Sequence, residues 1–290
     1  DIQNAEADKS TQQQQAEQMI TNGAKVLLLV NLDSGSGAAI AGNAASQGVK
    51  VIDYDRLTLD TDATDYYVSF DNTKVGELQG QGLVDCLGDK QGANIAVLNG
   101  SPTDNNATLF KEGYDSVIDP KFESGDWNEV ADQSVPDWDN QQALTIFEQM
   151  LQKADNKVDG VLAANDGLGN AAISAIKQRE LPQIPVTGQD ATLEGLQNIV
   201  NGDQCMTVYK AIEKEAQAAA DLAIALAKGQ EPKAETTPVD NGTEEVPSVL
   251  LEPVPVTKDN IGEYIGNPDY PTKEDICAGK VAAKCKELGL

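Results

Sequence analysis

The chain has 290 residues, with 47 acidic against 21 basic, a formal charge of −26 and no histidine. That balance disfavours nucleic acid and anionic lipid as partners, and the missing imidazole removes His-based nucleophile activation, His metal sites and a histidine pH switch. The length allows two domains of ordinary size, and no apolar run approaches the roughly eighteen residues of a membrane-spanning helix.

Residues 1–9 are polar and aperiodic. Ser10-Thr11 then supply N-cap chemistry for a helix to about Asn22, with Ala16, Met19 and Ile20 on one face and Gly23 closing it. Lys25–Val30 is a continuous apolar run of strand length and reads as a strand buried on both faces. A helix over 36–48 and a strand Val51–Tyr54 follow. The Gly-Ser-Gly at 35–37 most simply opens that helix, because Asn31–Gly37 lacks the Lys-Ser/Thr that completes a phosphate-binding loop. Asn31 or Asp33 is then left to border a cleft. Alternation of helix and short apolar strand predicts an α/β fold built on doubly wound parallel sheet.

Beyond Phe70, Asp71-Asn72 cap a helix over 73–87, and a strand over 93–98 ends in Asn99-Gly100-Ser101-Pro102. Asn105-Asn106 open the next helix. A helix over 141–153 precedes a strand over 160–164 that delivers Asn165-Asp166, and a helix over 168–179 precedes a strand Ile184–Thr187 that delivers Gly188-Gln189-Asp190. Three strands thus end in polar clusters, the arrangement a ligand crevice at carboxyl edges requires. Met206–Tyr209 reads as a strand and Ile212–Lys228 as an Ala-rich helix ended by Gly229. Residues 231–247 are rich in Pro, Glu, Thr and Gly and are expected as an exposed excursion. Ser248–Val256 is expected as one strand, and the tail 257–290 as a cap with a last helix near 273–288.

Asp55-Arg56 falls at the carboxyl end of the Val51–Tyr54 strand. An adjacent acid and base offer acceptors together with a fork of donors, which suits a polyol better than an anion or an apolar ligand. The competing reading is a solvated turn with a surface ion pair. The acidic groups Asp53–Asp55 and Asp60–Asp62–Asp65 do not follow the calcium-loop pattern and are expected to be solvated, so no metal site is expected. Cys86, Cys205, Cys277 and Cys285 make no CxxC or zinc spacing. Cys277 and Cys285, close together in a tail with little core of its own, are the first expected pairing; Cys86 with Cys205 stands against two buried free thiols.

Motifs in a fixed order then narrow the field. They are YDRL at 54–57, YYVSFDNTKVGELQ at 66–79, SPTDNNA at 101–107, AANDG at 163–167, TGQDA at 187–191, MTVYKAI at 206–212, GQEPKAETT at 229–237 and VPSVLLEPVPVTKDNI at 246–261. Together they resemble the xylose-binding branch of the bacterial type I periplasmic sugar-binding proteins, the receptors of ABC importers. The likeness runs from about Ser10 to Ile261.

The resemblance implies two doubly wound parallel-sheet domains joined by a three-strand hinge, one lobe from 1–70 with 210–256 and the other from 71–209 with 257–290. It also implies that the leading strand-helix-strand of the first lobe is absent from this chain and belongs to a longer protein or to another chain. An even cysteine count suits the oxidising, extracytoplasmic setting of that family. Export follows from the family and not from a targeting segment, and lipid tethering is left open. The implied function is capture of a monosaccharide, xylose first, in an interdomain cleft, with delivery to an ABC permease and no enzymatic step or cofactor. By the same resemblance the sugar site is Asp55 and Arg56 of the first lobe with Asn106, Trp138, Asn165, Asp190 and Lys210 of the second lobe and hinge. Asp104 either orients Asn106 or touches the sugar.

Each residue has a plainer alternative. Trp138 would serve as core and Lys210 as a surface lysine, while Asn165-Asp166 would form an Asx turn opening a helix. Trp127 has no matching role and is expected to be structural or exposed. Two other functions compete: a sugar-sensing ectodomain partnering a membrane receptor or kinase, and a glycosidase using paired carboxylates such as Asp55 with Asp190.

Overall fold

In the computed structural model, which describes residues 1–290, the alternating pattern resolves into ten helices and ten strands. In chain order they are α1 (Lys9–Thr21), β1 (Val26–Leu29), α2 (Gly37–Ser46), β2 (Lys50–Tyr54), β3 (Tyr66–Phe70), α3 (Asn72–Leu87), β4 (Ala93–Asn99), α4 (Asn105–Glu123), β5 (Trp127–Ser134), α5 (Asn140–Lys153), β6 (Gly160–Ala163), α6 (Asp166–Gln178), α7 (Leu193–Asn201), β7 (Met206–Tyr209), α8 (Ile212–Ala227), β8 (Thr237–Asp240), β9 (Glu245–Leu251), β10 (Val254–Thr257), α9 (Lys273–Ile276) and α10 (Ala282–Glu287). A short 3-10 turn, Pro136–Trp138, precedes α5.

The chain divides into two units. The first comprises residues 1–71, 103–106 and 212–252. Its sheet runs β1-β2-β3-β9-β8, parallel except for β8, which folds back antiparallel on β9. Side chains alternate across such a sheet, so it is covered on both faces. Leu27, Leu29 and Val51 pack with Ala16 and Ile20 of α1 and Ile40 of α2, whereas Ile52 and Val68 pack with Ala219 and Leu222 of α8. β1 is the edge strand, and it departs from expectation: Leu28 is 48% exposed, so the strand is buried on one face only. A groove of about 640 Å³ follows that edge, lined by Ile2, Leu28, Val30, Tyr54, Ala216 and Ala223 among others. An open, apolar strand edge of this kind can accept a further strand.

The second unit comprises residues 72–102, 107–211 and 253–290. β5, β4 and β6 form a parallel sheet, and β7 pairs antiparallel with β10. Leu98, Val161 and Ala163 pack with Phe147 and Leu151 of α5 and with Leu168 and Ala172 of α6; Ile95, Val97 and Leu162 pack with Val75 and Leu83 of α3 and Phe110 and Tyr114 of α4. A third cluster joins Leu196 and Ile199 of α7 to Tyr209, Tyr270 and Ile276.

Four expectations are corrected. Ile184–Thr187 does not form a strand: only Val186 bridges to Val161, because Pro185 withholds a donor in the middle of the run. The Ser248–Val256 run is two strands, broken at Glu252-Pro253; β9 pairs with β3 and β10 with β7. The 231–247 excursion carries β8 and the start of β9. The last helix divides into α9 and α10, with the 3-10 turn Gly279–Val281 between them.

Both disulfides are present, Cys86–Cys205 across 119 residues and Cys277–Cys285 across 8. In the chain-entropy account the longer loop restricts the unfolded state more, about 5 kcal/mol against about 2.5. Replacing Cys86 and Cys205 by alanine is therefore expected to lower the urea midpoint further than replacing Cys277 and Cys285, which paired denaturation curves would check.

Candidate functional site

β2 ends in a turn that must leave the sheet at once, and its backbone shows the constraint. Asp55 adopts φ 63°, a left-handed conformation that a non-glycine residue holds only when its surroundings enforce it. Three donors converge on the Asp55 carbonyl: Asn106 Nδ2 at 3.0 Å, Tyr67 Oη at 3.1 Å and Ser69 Oγ at 2.8 Å. The next residue, Arg56, places Nε 3.1 Å from the carboxylate of Asp104 and 3.9 Å from that of Asp55. Its Nη1 donates to the Asn31 carbonyl at 3.4 Å, and Asn31 Nδ2 donates back to the Arg56 carbonyl at 2.8 Å. Asp104 is 3% exposed and also accepts from the Asn106 amide at 3.0 Å. Asp55, Arg56, Asp104, Asn106 and Asn31 thus form one hydrogen-bonded group within the first unit. Asn106, expected with the second lobe, belongs to this group.

Below the turn lies Asp53, fully buried and not solvated as expected. It accepts from the Thr58 amide at 2.7 Å, Thr58 Oγ1 at 2.9 Å and Thr64 Oγ1 at 3.2 Å. Burial pushes its carboxyl up to about 6 in spite of these bonds. Asp53 follows strand alternation inward, while Asp55, two residues on, has left the sheet.

In the second unit, Asp190 follows the single bridge at Val186 and takes φ 95°, with Ala191 at φ 49°. The Asp190 carboxylate lies 3.4 Å from Lys210 Nζ; its side chain is 37% exposed, that of Lys210 only 9%. The Asp190 amide donates to the Val208 carbonyl at 2.8 Å, which ties the loop to β7. Asn165 caps α6, its side chain accepting from the Leu168 amide at 2.9 Å. The neighbouring Asp166 amide donates to the Gln189 carbonyl at 3.0 Å, so Asn165 and the 188–190 loop are held together. Gln79 of α3 adds Nε2 bonds to the carbonyls of Ala164 at 2.8 Å and Gly188 at 3.3 Å.

Trp138 sits apart in the 3-10 turn, with φ 56°. Its ring covers Gly100, where any Cβ would lie 2.0 Å from the indole, and meets Phe110 edge-on at 6.4 Å. Asn140, two residues later, lies against Gly167 at the start of α6, which places this turn beside the Asn165 corner. Trp127 is in β5 and 3% exposed, a core residue. Sequence reasoning missed two buried carboxylates beside the candidate residues, Asp53 and Asp166. Their only signal was that each stands next to, or two residues from, a residue singled out for another reason. No group of three or more Asp, Glu and Cys side chains is placed to hold a metal ion.

The family described as periplasmic binding protein domain matches residues 1–231. This chain belongs to that family. A D-xylose-binding periplasmic protein from Escherichia coli (strain K12) is 43% identical over 276 residues, covering 95% of this chain and 82% of that protein. The multiple sugar-binding periplasmic receptor ChvE of Rhizobium radiobacter is 37% identical, covering 93% and 81%. Among solved structures, an ABC transporter solute binding protein from Clostridium phytofermentans with bound β-D-glucose is similar with a TM-score of 0.89 and 31% identity, over 95% of this chain and 90% of that one.

For this periplasmic binding protein, the buried carboxylate under the Arg56 turn makes a pH test. Asp53 titrates near 6 in the folded protein against 3.8 for the free side chain, so its protonation stabilises the fold fully below about pH 4, and that contribution is lost as pH rises through 6. The stability of the wild type minus that of Asp53→Asn is expected to fall by about 2.5 kcal/mol between pH 4 and 7. Urea titrations of both proteins at several pH values in that range would measure it.

Proposed function

We propose that this chain captures one monosaccharide, xylose before other pentoses or hexoses, and delivers it to the permease of an ABC importer without chemical turnover. The observation that carries the reading is the pairing of charges: Arg56 lies against Asp104 and Asp55, and Lys210 against Asp190. A site whose cations are already met by carboxylates offers no net charge to an anion but keeps donors and acceptors for hydroxyls, each of which both gives and takes a hydrogen bond. The ligand-binding side chains in this reading are Asp55, Arg56, Asn106, Trp138, Asn165, Asp190 and Lys210, with Asp104 orienting Arg56 and Asn106. Trp138 would offer its ring to the C–H face of a pyranose. Bonds from charged groups to hydroxyls contribute about 1.5–3 kcal/mol each when water is excluded. The relatives named for xylose and for several sugars, and the neighbour holding glucose, support the ligand class. Those relatives are periplasmic, which supports an extracytoplasmic site of action.

Titration calorimetry with xylose, glucose, arabinose and ribose tests this. One-to-one binding of at least one sugar is expected, weakened about 100-fold or more in both Arg56→Ala and Asp190→Ala. Binding of none of the four, or release of sugar from a glycoside, would overturn the proposal.

A further inference from the structure

Of the pair Asn165-Asp166, the asparagine looks the functional member in the sequence, yet the structure constrains the aspartate more. Asp166 opens α6 and is 0% exposed. Its Oδ2 accepts from the Thr192 amide at 2.8 Å and from Thr192 Oγ1 at 3.0 Å; its Oδ1 accepts from Gln204 Nε2 at 2.7 Å and Thr207 Oγ1 at 2.8 Å. Both hydroxyls pass the contact on. Thr192 Oγ1 accepts from the Gly195 amide at 3.1 Å, capping α7, and Thr207 Oγ1 accepts from the Ala191 amide at 3.2 Å. Gly188 and Gly195 make room, since a Cβ on either would lie within 2.3 Å of a carboxylate oxygen. One carboxylate therefore gathers the start of α6, the 188–192 loop, the start of α7 and β7. The left-handed residues Asp190 and Ala191 immediately precede Thr192, and the Ala191 amide is bonded to Thr207, so both anchor points flank them in space.

We propose that Asp166 is the positioning residue of the sugar site: its ionised carboxylate, taking four donors, holds the 188–192 loop in the left-handed form that sets Asp190 against Lys210, so affinity requires Asp166 deprotonated. This rests on the sugar-binding reading. The ionisable groups that face Asp166 are Asp190 from the loop and Tyr270 from the carboxy-terminal tail, and Lys210 lies on Asp190. Burial first, and the Asp190 charge second, push Asp166 up to about 7. A proton arriving there turns an acceptor into a donor among donors. The raised value means that the ligand-free protein takes up this proton as pH falls through 7, so binding that requires the ionised form weakens below it, by about tenfold from pH 8 to pH 6.

The test uses the full chain and the tightest binder of the four sugars, titrated at pH 8 and pH 6 for the wild type, Asp166→Asn, Thr207→Val and Thr207→Ser, with circular dichroism and unfolding curves confirming the fold of each. Expected are a wild-type loss of about tenfold at pH 6, an Asp166→Asn protein weak and equal at both pH values, a Thr207→Val protein weakened about tenfold at pH 8, and recovery in Thr207→Ser. If Asp166→Asn does not fold, the Thr207 pair decides. A flat wild-type profile, an Asp166→Asn protein that binds like wild type at pH 8, or equal affinity in Thr207→Val and Thr207→Ser would each overturn the proposal. A wild type that binds no sugar would sink the sugar reading instead.

Discussion

A carboxylate taken out of water must have its lone pairs met by donors, because an unmet buried charge costs several kcal/mol and neutralises instead. The loops that carry the candidate site depend on this constraint. Asp53 in the first unit and Asp166 in the second have no exposure, and each draws in two threonine hydroxyls and a backbone amide, those of Asp53 from the loop beyond its strand and those of Asp166 from the loop before α7 and from β7. Asp104, nearly buried, does the same with Arg56 and the Asn106 amide. Each buried carboxyl bonds donors from separate segments, so these loops have little freedom to drift. The raised titration of Asp53 and Asp166 is the reverse side of the same fact: the bonds offset desolvation only in part.

What the braces hold is backbone in a conformation it would not choose. Asp55, Asp137, Trp138, Asp190 and Ala191 all have positive φ, and three of the five carry candidate ligand contacts. Each such residue costs about 1–3 kcal/mol and is kept only where its surroundings over-determine it. At Asp55 the surroundings are three donors on one carbonyl; at Asp190 they are the amide bond to Val208 and the Asp166 network. The turn at Asp137 is fixed by its amide bond to Ser101 Oγ and by the Trp138 ring on Gly100. Side chains aimed this way are in place before a ligand arrives, so less ordering is required on binding.

The regular elements were legible where a periodic apolar run met a turn residue. The run over 93–99 and the helices over 73–87 and 141–153 have short apolar or amphipathic stretches bounded by Asn, Asp or Gly, and they fold where the pattern puts them. β5 was not legible because it is a sheet edge with polar residues on much of its length, Trp127-Asn128-Glu129 onward. β1 misled in the opposite sense: Leu27-Leu28-Leu29 has the composition of an interior strand but occupies an edge, and position in a sheet is set by long-range pairing that composition does not encode. At the site, Asp55-Arg56 and the asparagines of polar strand ends could be picked from local chemistry, with the family resemblance choosing among alternatives. Asp53 and Asp166 could not, because an aspartate that will be buried looks like one that will be solvated until the donors from Thr58, Thr192, Gln204 and Thr207 are seen around it.

The overall charge of −26 says little about what the site takes. Solvent-exposed charges farther than about 8–10 Å from a ligand are screened at physiological salt, so the local arrangement decides. There each cation has its own carboxylate: Arg56 has Asp104 and Asp55, and Lys210 has Asp190. A ligand carboxylate or phosphate would have to displace one of those acids and leave it buried or half-buried without its partner, whereas a hydroxyl can insert beside the pair and bond to both members. Selectivity among sugars then follows from the same economy of partners. In a site built of hydrogen bonds, a buried polar group left unmet by the wrong sugar discriminates far more than shape does.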